Sequence, residues 1–238
     1  MLAPSCPWDR FDRATMEFCE RPVCALVTQP ANTWSNIGYV VVGVLVLRLA
    51  RAEGKRHLSP IGWSALAVAV GSAFFHASST FVGEVVDIGA MYLFAVFWLA
   101  LDLQRLLGWS HRTRWTFHAG LTTLSVITLT VERTWGVALF SLQVTGTFVV
   151  EIALFLRRRR ELRDGAPSPT PRVDYRHLGR LAGTFAIAYA IWQLDFHRIV
   201  CDRDLHVISG HAVWHLLNAW CFYFLYRFFC QFPAKARA

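Results

Sequence analysis

The hydrophobic positions of this chain are grouped into long apolar blocks, and short polar segments separate the blocks. Seven blocks can be traced, over residues 34–49, 61–77, 85–103, 115–131, 135–156, 178–194 and 208–229. A helix of ~20 apolar residues crosses the hydrocarbon core of a bilayer, and the blocks reach or approach this length. An open chain crosses lipid only as helices, because unpaired backbone groups are too costly there. The pattern therefore predicts an all-α bundle of seven transmembrane helices.

The composition supports a membrane protein rather than a soluble one. Of the 238 residues, 55% are hydrophobic, 14% are aromatic and only 17% are charged. A typical soluble domain carries ~25% charged residues, and a chain this apolar is not intrinsically disordered. The net charge is +8, but the basic residues are concentrated between the apolar blocks. We therefore expect no nucleic-acid partner.

The distribution of charge predicts the topology. Arginine and lysine follow the first, third, fifth and seventh blocks, whereas the segment after the second block carries only Glu84. Basic loops stay in the cytosol, so the C-terminus is predicted to be cytosolic and the N-terminus extracytoplasmic. This divides the chain into an extracytoplasmic segment at 1–33, a membrane domain at 34–230 and a cytosolic tail at 231–238. A Pro-rich stretch at 165–171 is predicted to be a flexible cytosolic loop.

Five polar side chains fall at one depth on the extracytoplasmic side of the predicted bundle. Ser72 and His76 lie near the end of the second span, and Asp87 lies at the start of the third. His211 and His215 lie at the start of the seventh. Polar groups inside a membrane are costly, and they therefore mark functional sites.

The spacing of these residues is compatible with a metal site. Ser72 and His76 are four residues apart, as are His211 and His215, so each pair projects from one helix face. Three imidazoles leave the fourth tetrahedral position open, which is typical of catalytic zinc. Zinc would lower the pKa of a water molecule to ~7. Asp87 could then act as general base and pass the proton to a leaving amine, while Ser72 could stabilise an oxyanion.

Each of these residues also has a purely structural interpretation. A single histidine within a membrane is more often packed and hydrogen-bonded than a ligand, and a helical serine usually bonds the carbonyl four residues earlier. His197 and His206 flank the last extracytoplasmic loop and are rival ligands. Because random placement would seldom put five such groups at one depth, zinc is the favoured interpretation.

The motifs resemble those of a known family. The sequence S-x-x-x-H at 72–76, followed by Asp87 and by H-x-x-x-H at 211–215, is similar to the pattern of the alkaline ceramidases. These belong to a superfamily of seven-span membrane hydrolases that includes the adiponectin and progestin receptors. The segment at 19–36 resembles the lead-in to the family's first span, and 192–202 resembles the end of its sixth. The likeness covers nearly the whole chain.

The resemblance implies roles for the five residues. His76, His211 and His215 would bind zinc. Asp87 would activate water, and Ser72 would contribute to the oxyanion site or the zinc surroundings. The implied reaction is hydrolysis of the N-acyl amide bond of a ceramide-like sphingolipid to a fatty acid and a long-chain base. The lipid would reach the site laterally from the bilayer, and no obligate protein partner is evident.

Calcium is a second ion to consider. Family members that bind calcium near the N-terminus use acidic residues and an asparagine there, and Glu17 and Glu20 match this cluster. Pro22 and Gln29 stand where Asn and Glu are expected. Calcium takes six to eight oxygen ligands, so these departures argue against a bound calcium ion.

The cysteines fall into two groups. Cys19 and Cys201 match positions that the family bridges, so the resemblance implies a disulfide between them on the oxidising side. Cys6 and Cys24 lie on the same side, which leaves other pairings open. The remaining two cysteines are expected to be free thiols within or near the seventh span, at Cys221 and Cys230.

Other functions compete with hydrolysis. The first alternative is a receptor-like or regulatory seven-span zinc protein with little turnover, although Ser72 and Asp87 argue for an enzyme. A haem carrier would have no use for a third histidine, and a transporter would need ionisable groups in mid-membrane. Asp102 and Glu151 lie near cytosolic ends, where arginines can pair with them. The Arg-rich, Ala-rich composition favours a bacterial plasma membrane over the ER or Golgi, with the site near the extracytoplasmic face.

Overall fold

The protein is described by a computed structural model over residues 5–163 and 173–233. Its regular elements are eight α-helices and two short 3-10 turns, Arg56–Leu58 and Arg133–Trp135. In chain order the helices are α1 (Pro30–Trp34), α2 (Ile37–Ala52), α3 (Ser59–Ser78), α4 (Phe81–Leu107), α5 (His111–Val131), α6 (Gly136–Arg163), α7 (Arg176–Phe196) and α8 (Gly210–Phe229). The predicted all-α architecture is confirmed. The predicted loop at 165–171 and the charged end of the tail lie outside the described residues.

Each predicted span coincides with a long helix, but the helices differ in how apolar they are. Among the described residues, four helical stretches are long and apolar enough to cross a membrane: Pro30–Ala52, Arg56–Ser78, Phe81–Leu107 and Arg133–Arg163. The helices α5, α7 and α8 have 21, 21 and 20 residues. Histidine, threonine, tyrosine and tryptophan, which have low hydropathy, are spread along these three helices and lower their mean hydropathy. Seven crossings and the orientation of the termini therefore remain predictions.

The turns at one end of the bundle are fixed by local signals. The helix α3 ends at Ser78, and its C-cap residue Ser79 adopts a left-handed conformation with φ 51°. Thr80 then caps α4 by accepting a hydrogen bond from the backbone of Gly83. Ser209 caps α8 in the same way, accepting from Ala212. Such caps satisfy orphan N–H groups and set where a helix begins. They place His76 at the end of α3 and His211 at the start of α8.

Two glycines allow helices to approach closely beside the candidate site. A Cβ atom at Gly71 would lie 2.9 Å from the carbonyl oxygen of Val86 and 3.1 Å from Cα of Asp87. A Cβ at Gly38 would lie 3.1 Å from the Leu216 side chain. Larger residues would separate α3 from α4 and α2 from α8. The contacts that bring the site residues together thus depend on small side chains at the crossings.

The opposite end of the bundle carries a buried ionic cluster. Arg105 binds Asp102 at 2.9 Å on its own helix and Glu151 at 2.5 Å on α6. Both carboxylates are buried. The prediction that arginines pair with these two acids is confirmed, and the cluster ties α4 to α6.

Glu84 departs from its predicted place. The charge pattern assigns it to a loop, whereas it lies in the first turn of α4 and is 1% exposed. Its carboxylate accepts hydrogen bonds of 2.6 Å from the backbone and the hydroxyl of Thr15. An acidic side chain in the first turn is favoured by the helix dipole, and here it also anchors the N-terminal segment across the α3–α4 turn.

Candidate active site

Three buried histidines from two helices meet at one end of the bundle. His76 comes from the last turn of α3, and His211 and His215 come from the first two turns of α8. One ligand nitrogen from each ring lies within 4.8 Å of the others, and within the described residues this is the group of side chains that could hold a metal ion. The structure thus brings together the three residues that the sequence singled out. The rival residues His197 and His206 are not in this group.

Hydrogen bonds fix the tautomers of two of these histidines. Nδ1 of His76 donates to Oε1 of Gln29 over 2.8 Å, because a side-chain carbonyl can only accept. Nδ1 of His215 lies 2.8 Å from the Ser35 hydroxyl. That hydroxyl donates to the carbonyl of Asn32, so it accepts from the histidine. With Nδ1 protonated, each neutral ring keeps its lone pair on Nε2.

The ring of His211, the third histidine, is positioned by aromatic stacking and by a hydrogen bond from its backbone. It stacks on Phe18 with centroids 3.9 Å apart, and its backbone N–H donates to Asp195 over 3.1 Å. Nε2 of His211 lies 3.1 Å from Nε2 of His76. Its Nδ1 is buried and has no hydrogen-bond partner within the described chain.

The donor set fits zinc. Zinc binds imidazole nitrogen at 2.0–2.1 Å in tetrahedral geometry, which places two ligand nitrogens ~3.3 Å apart. The observed separation of 3.1 Å between His76 and His211 is close to that value. Outer hydrogen bonds to Nδ1, as Gln29 and Ser35 provide, are the usual support of histidine ligands. Three nitrogen donors also leave room for a further ligand.

Ser72 and Asp87 adjoin the histidines. The Ser72 hydroxyl lies 3.4 Å from Nε2 of His215 and is near the Asp87 carboxylate. It does not bond the carbonyl four residues earlier, which was its structural alternative. Asp87 is 8% exposed. The close crossing at Gly71 brings these two side chains into contact.

A cavity of about 120 Å³ leads to this cluster. Its polar lining residues include Ser72, Asp87, His211 and His215. Most of the remaining wall is apolar, with aromatic side chains from α4, α6, α7 and α8. Its aromatic members include Phe94, Trp98, Phe140, Phe148, Phe185, Trp192, Trp214 and Phe222. Such a wall suits a ligand with a long hydrocarbon part.

The structure does not bring Glu17 and Glu20 together as calcium ligands. Glu17 is exposed and pairs with Arg198 at 3.0 Å. Glu20 is fully buried, and its two oxygens accept backbone hydrogen bonds of 2.9 Å from the first turn of α1. One of those oxygens also lies 3.0 Å from Nδ1 of His206. The oxygens of Glu20 are therefore engaged by protein donors.

Four cysteines lie in pairs at disulfide distance. The sulfur atoms of Cys19 and Cys201 are 2.07 Å apart, and those of Cys6 and Cys24 are 2.06 Å apart. The first pair joins the segment before α1 to the segment between α7 and α8. It adjoins Phe18, which stacks on His211. Both pairs lie at the end of the helix bundle that holds the three histidines.

Gln29 and Ser35 are the site residues that sequence reasoning missed. Gln29 was considered only as a departure from a calcium-binding pattern, and Ser35 only as part of a lead-in motif. One signal could have found them: both lie near the start of the first span, on the side where the histidines cluster. Their partners are 47 and 180 residues away. Spacing along the chain could not identify those partners.

A comparison with protein families adds an independent observation. The family model described as Ceramidase matches residues 12–236 of the chain. The chain belongs to the ceramidase family. Membership implies hydrolysis of the amide bond of a sphingolipid, with a ceramide-like lipid as substrate, and the apolar helices imply a bilayer environment. No curated protein matches the sequence significantly.

Proposed function

We propose that this member of the ceramidase family is a zinc-dependent intramembrane amidohydrolase. It cleaves the N-acyl amide bond of ceramide-like sphingolipids and releases a fatty acid and a long-chain base. The observation that carries the zinc proposal is the fixed tautomer of His76 and His215. Both rings direct an Nε2 lone pair into a buried cluster that also contains His211. Buried lone pairs facing one another are unfavourable unless a cation or a proton lies between them.

His76, His211 and His215 would hold the ion. When bound, zinc would supply a Lewis acid that polarises the amide carbonyl and acidifies a water molecule. The chain's own residues would handle the proton. Asp87 would accept it from the attacking water and deliver it to the departing nitrogen, while the C–N bond breaks and the acyl carbon gains the hydroxyl.

Ser72 would orient these groups. Its hydroxyl lies between Asp87 and His215, so it can hold the carboxylate in position or donate to the carbonyl oxygen as negative charge develops there. Preorganised donors of this kind cost no rearrangement during the reaction.

The shape of the cavity supports lateral access from the bilayer. Its wall includes Phe140 and Val144 of α6 and Leu181 and Phe185 of α7. These two helices make little direct contact with each other along their described lengths. A hydrocarbon chain could therefore extend between them while the amide lies at the histidines.

The two cysteine pairs support the proposed orientation. Disulfides persist in oxidising compartments, and both pairs lie at the end of the bundle that holds the histidines. This favours a seven-span topology with the site near the extracytoplasmic face. It is compatible with a bacterial plasma membrane.

The test is turnover by purified protein in lipid nanodiscs, with zinc content measured on the same preparation. We expect about one zinc per chain and release of fatty acid from an N-acyl sphingoid base, with both lost in His211→Ala. Asp87→Asn should keep the zinc and lose turnover. If the zinc-loaded protein hydrolyses no amide lipid, the proposed enzymatic activity is overturned and the receptor-like alternative is favoured.

A further inference from the structure

Two polar side chains lie in the cavity below the histidines and take no part in the proposed chemistry. Asn218 follows His215 by three residues on α8. Tyr39 follows Ser35 by four residues, and the Ser35 hydroxyl bonds His215. Asn218 is therefore about one helical turn deeper than the cluster, and Tyr39 lies in the first turn of α2 with its ring beside His215. Both line the same cavity.

Tyr39 has a hydroxyl group without a protein partner. The residue is 4% exposed, and its ring packs against His215 and Phe222 with centroids 6.1 Å and 5.7 Å away. Its hydroxyl makes no hydrogen bond to any residue that the structure describes. A buried tyrosine usually finds a hydrogen-bond partner for this group.

Asn218 also has unused hydrogen-bonding capacity. It is 7% exposed. Its Nδ2 donates to the carbonyl of Trp214 over 3.0 Å. Its Oδ1 accepts no hydrogen bond from the described residues. An amide has two donors and an acceptor with two lone pairs, so the chain uses only a small part of this capacity.

Leaving such groups unsatisfied in an apolar cavity costs free energy, whereas a ligand that pairs with them recovers it. A phenol can donate, and an amide oxygen can accept. A hydroxyl group is the small neutral partner that satisfies both at once, because it accepts through oxygen and donates through hydrogen. A charged ligand group would instead be desolvated among the aromatic residues without a counter-ion.

We propose that Tyr39 and Asn218 form a hydroxyl-binding subsite, which selects N-acyl lipids that carry a hydroxyl a few bonds from the scissile amide. The proposal rests on the proposed function, because the amide must lie at the histidines. The 6.1 Å between the rings of Tyr39 and His215 corresponds to a few covalent bonds. A hydroxyl on the long-chain base next to the nitrogen-bearing carbon falls within this range.

The test compares two matched substrates, an N-acyl long-chain base with its 3-hydroxyl and the 3-deoxy analogue. We expect the parent protein to prefer the hydroxylated lipid in kcat/KM. Tyr39→Phe and Asn218→Leu should each reduce the preference by about tenfold, as expected for the loss of one hydrogen bond to the substrate. Tyr226→Phe is the matched control, because its hydroxyl bonds Glu53 outside the cavity. Its preference should match that of the parent.

Equal losses on both lipids in the two cavity variants would assign a structural role to these residues and overturn the proposal. A preference for the hydroxylated lipid that the two substitutions leave unchanged would also overturn the proposal. A binding measurement distinguishes a failure of this subsite proposal from a failure of the proposed enzymatic function. Non-hydrolysable ether analogues with and without the hydroxyl should differ in affinity for the parent but not for Tyr39→Phe, whether or not the protein turns over. Equal affinities of the parent for both analogues would also overturn it.

Discussion

The two ends of the helix bundle bury polar groups in opposite ways. At one end, Arg105 lies between Asp102 and Glu151, so a buried cation faces buried carboxylates of the same chain. At the other end, His76, His211 and His215 are buried together with nitrogen atoms facing one another. The first cluster contains its own counter-ion. The second does not.

This difference is the one expected between a structural cluster and a cluster that could hold a metal ion. Polar groups that only join helices can be satisfied by protein partners, as the arginine is by two helices. Polar groups that act on a ligand must keep some bonding capacity open. At the histidine end that capacity includes Nδ1 of His211, which has no partner among the described residues. The same end also holds a cavity and two cysteine pairs.

The largest effect is expected from His76→Ala. Losing one of three ligands should remove the zinc and reduce amide hydrolysis by about 10³-fold or more, as when one member of a catalytic set is deleted. Metal analysis and fatty-acid release on one preparation measure both. His118→Ala is the control, because that ring bonds the carbonyl of Leu93 on α4 instead. Zinc retained at one per chain in His76→Ala would contradict the assignment.

Asp87→Asn should separate metal binding from proton transfer. The amide keeps the shape of the side chain but cannot take up the proton, so turnover should fall about 10³-fold while zinc content stays at the parent level. Initial rates with a chromatographic assay of the released base provide the measurement. Unchanged turnover would exclude Asp87 as the general base, and Asp87→Glu tests whether a displaced carboxylate restores part of the rate.

Arg105→Ala tests the opposite end. Removing the cation leaves two buried carboxylates uncompensated, which should lower the free energy of unfolding by about 3 kcal/mol. Thermal unfolding in detergent, compared with Arg157→Ala, measures it. Arg157 forms an exposed pair with Glu161, so its loss should cost less than about 1 kcal/mol. Zinc per folded chain should not change in either variant, and equal shifts in the two would refute a structural role for the buried cluster.

The smallest effect is expected from Gln29→Ala. Losing the acceptor for Nδ1 of His76 should weaken zinc binding by about 10- to 100-fold, as for other partners that orient metal ligands. Gln29→Glu keeps an acceptor and should retain most of the affinity. A competition titration with a zinc chelator measures it. Gln143→Ala is the matched control, since that side chain bonds Ser125 away from the cluster. If Gln29→Ala binds zinc as tightly as the parent protein, Gln29 does not support His76 as a zinc ligand.

Much of the fold could be predicted because hydrophobic blocks are a local property of the chain. The blocks indicate where helices lie, and every predicted span coincides with one. Glu84 was misplaced because a single acidic residue resembles a loop signal, and its partner Thr15 lies far away in the sequence. The ion pair of Arg105 with Asp102 could be predicted because the two residues are three positions apart on the same helix.

The candidate site was predictable in part for the same reason. Ser72 and His76 share a helix face by spacing alone, as do His211 and His215. The prediction that the two pairs meet depended on topology, since charged loops set which helix ends lie on one side. Whether Glu17 and Glu20 would join in a calcium site depended on the path of the N-terminal segment. The structure gives them different partners, Arg198 for Glu17 and the first turn of α1 for Glu20.

The sequence by itself determined the helices, the end of the bundle where polar groups gather and the five residues expected to act there. Those features follow from hydropathy and helical periodicity, which operate over a few turns. The tertiary structure alone decided the proton positions on His76 and His215, because Gln29 and Ser35 reach them from distant parts of the chain. It also decided which buried groups remain without partners. Within the described residues these groups include Nδ1 of His211, and no local pattern in the sequence identifies it as unpartnered.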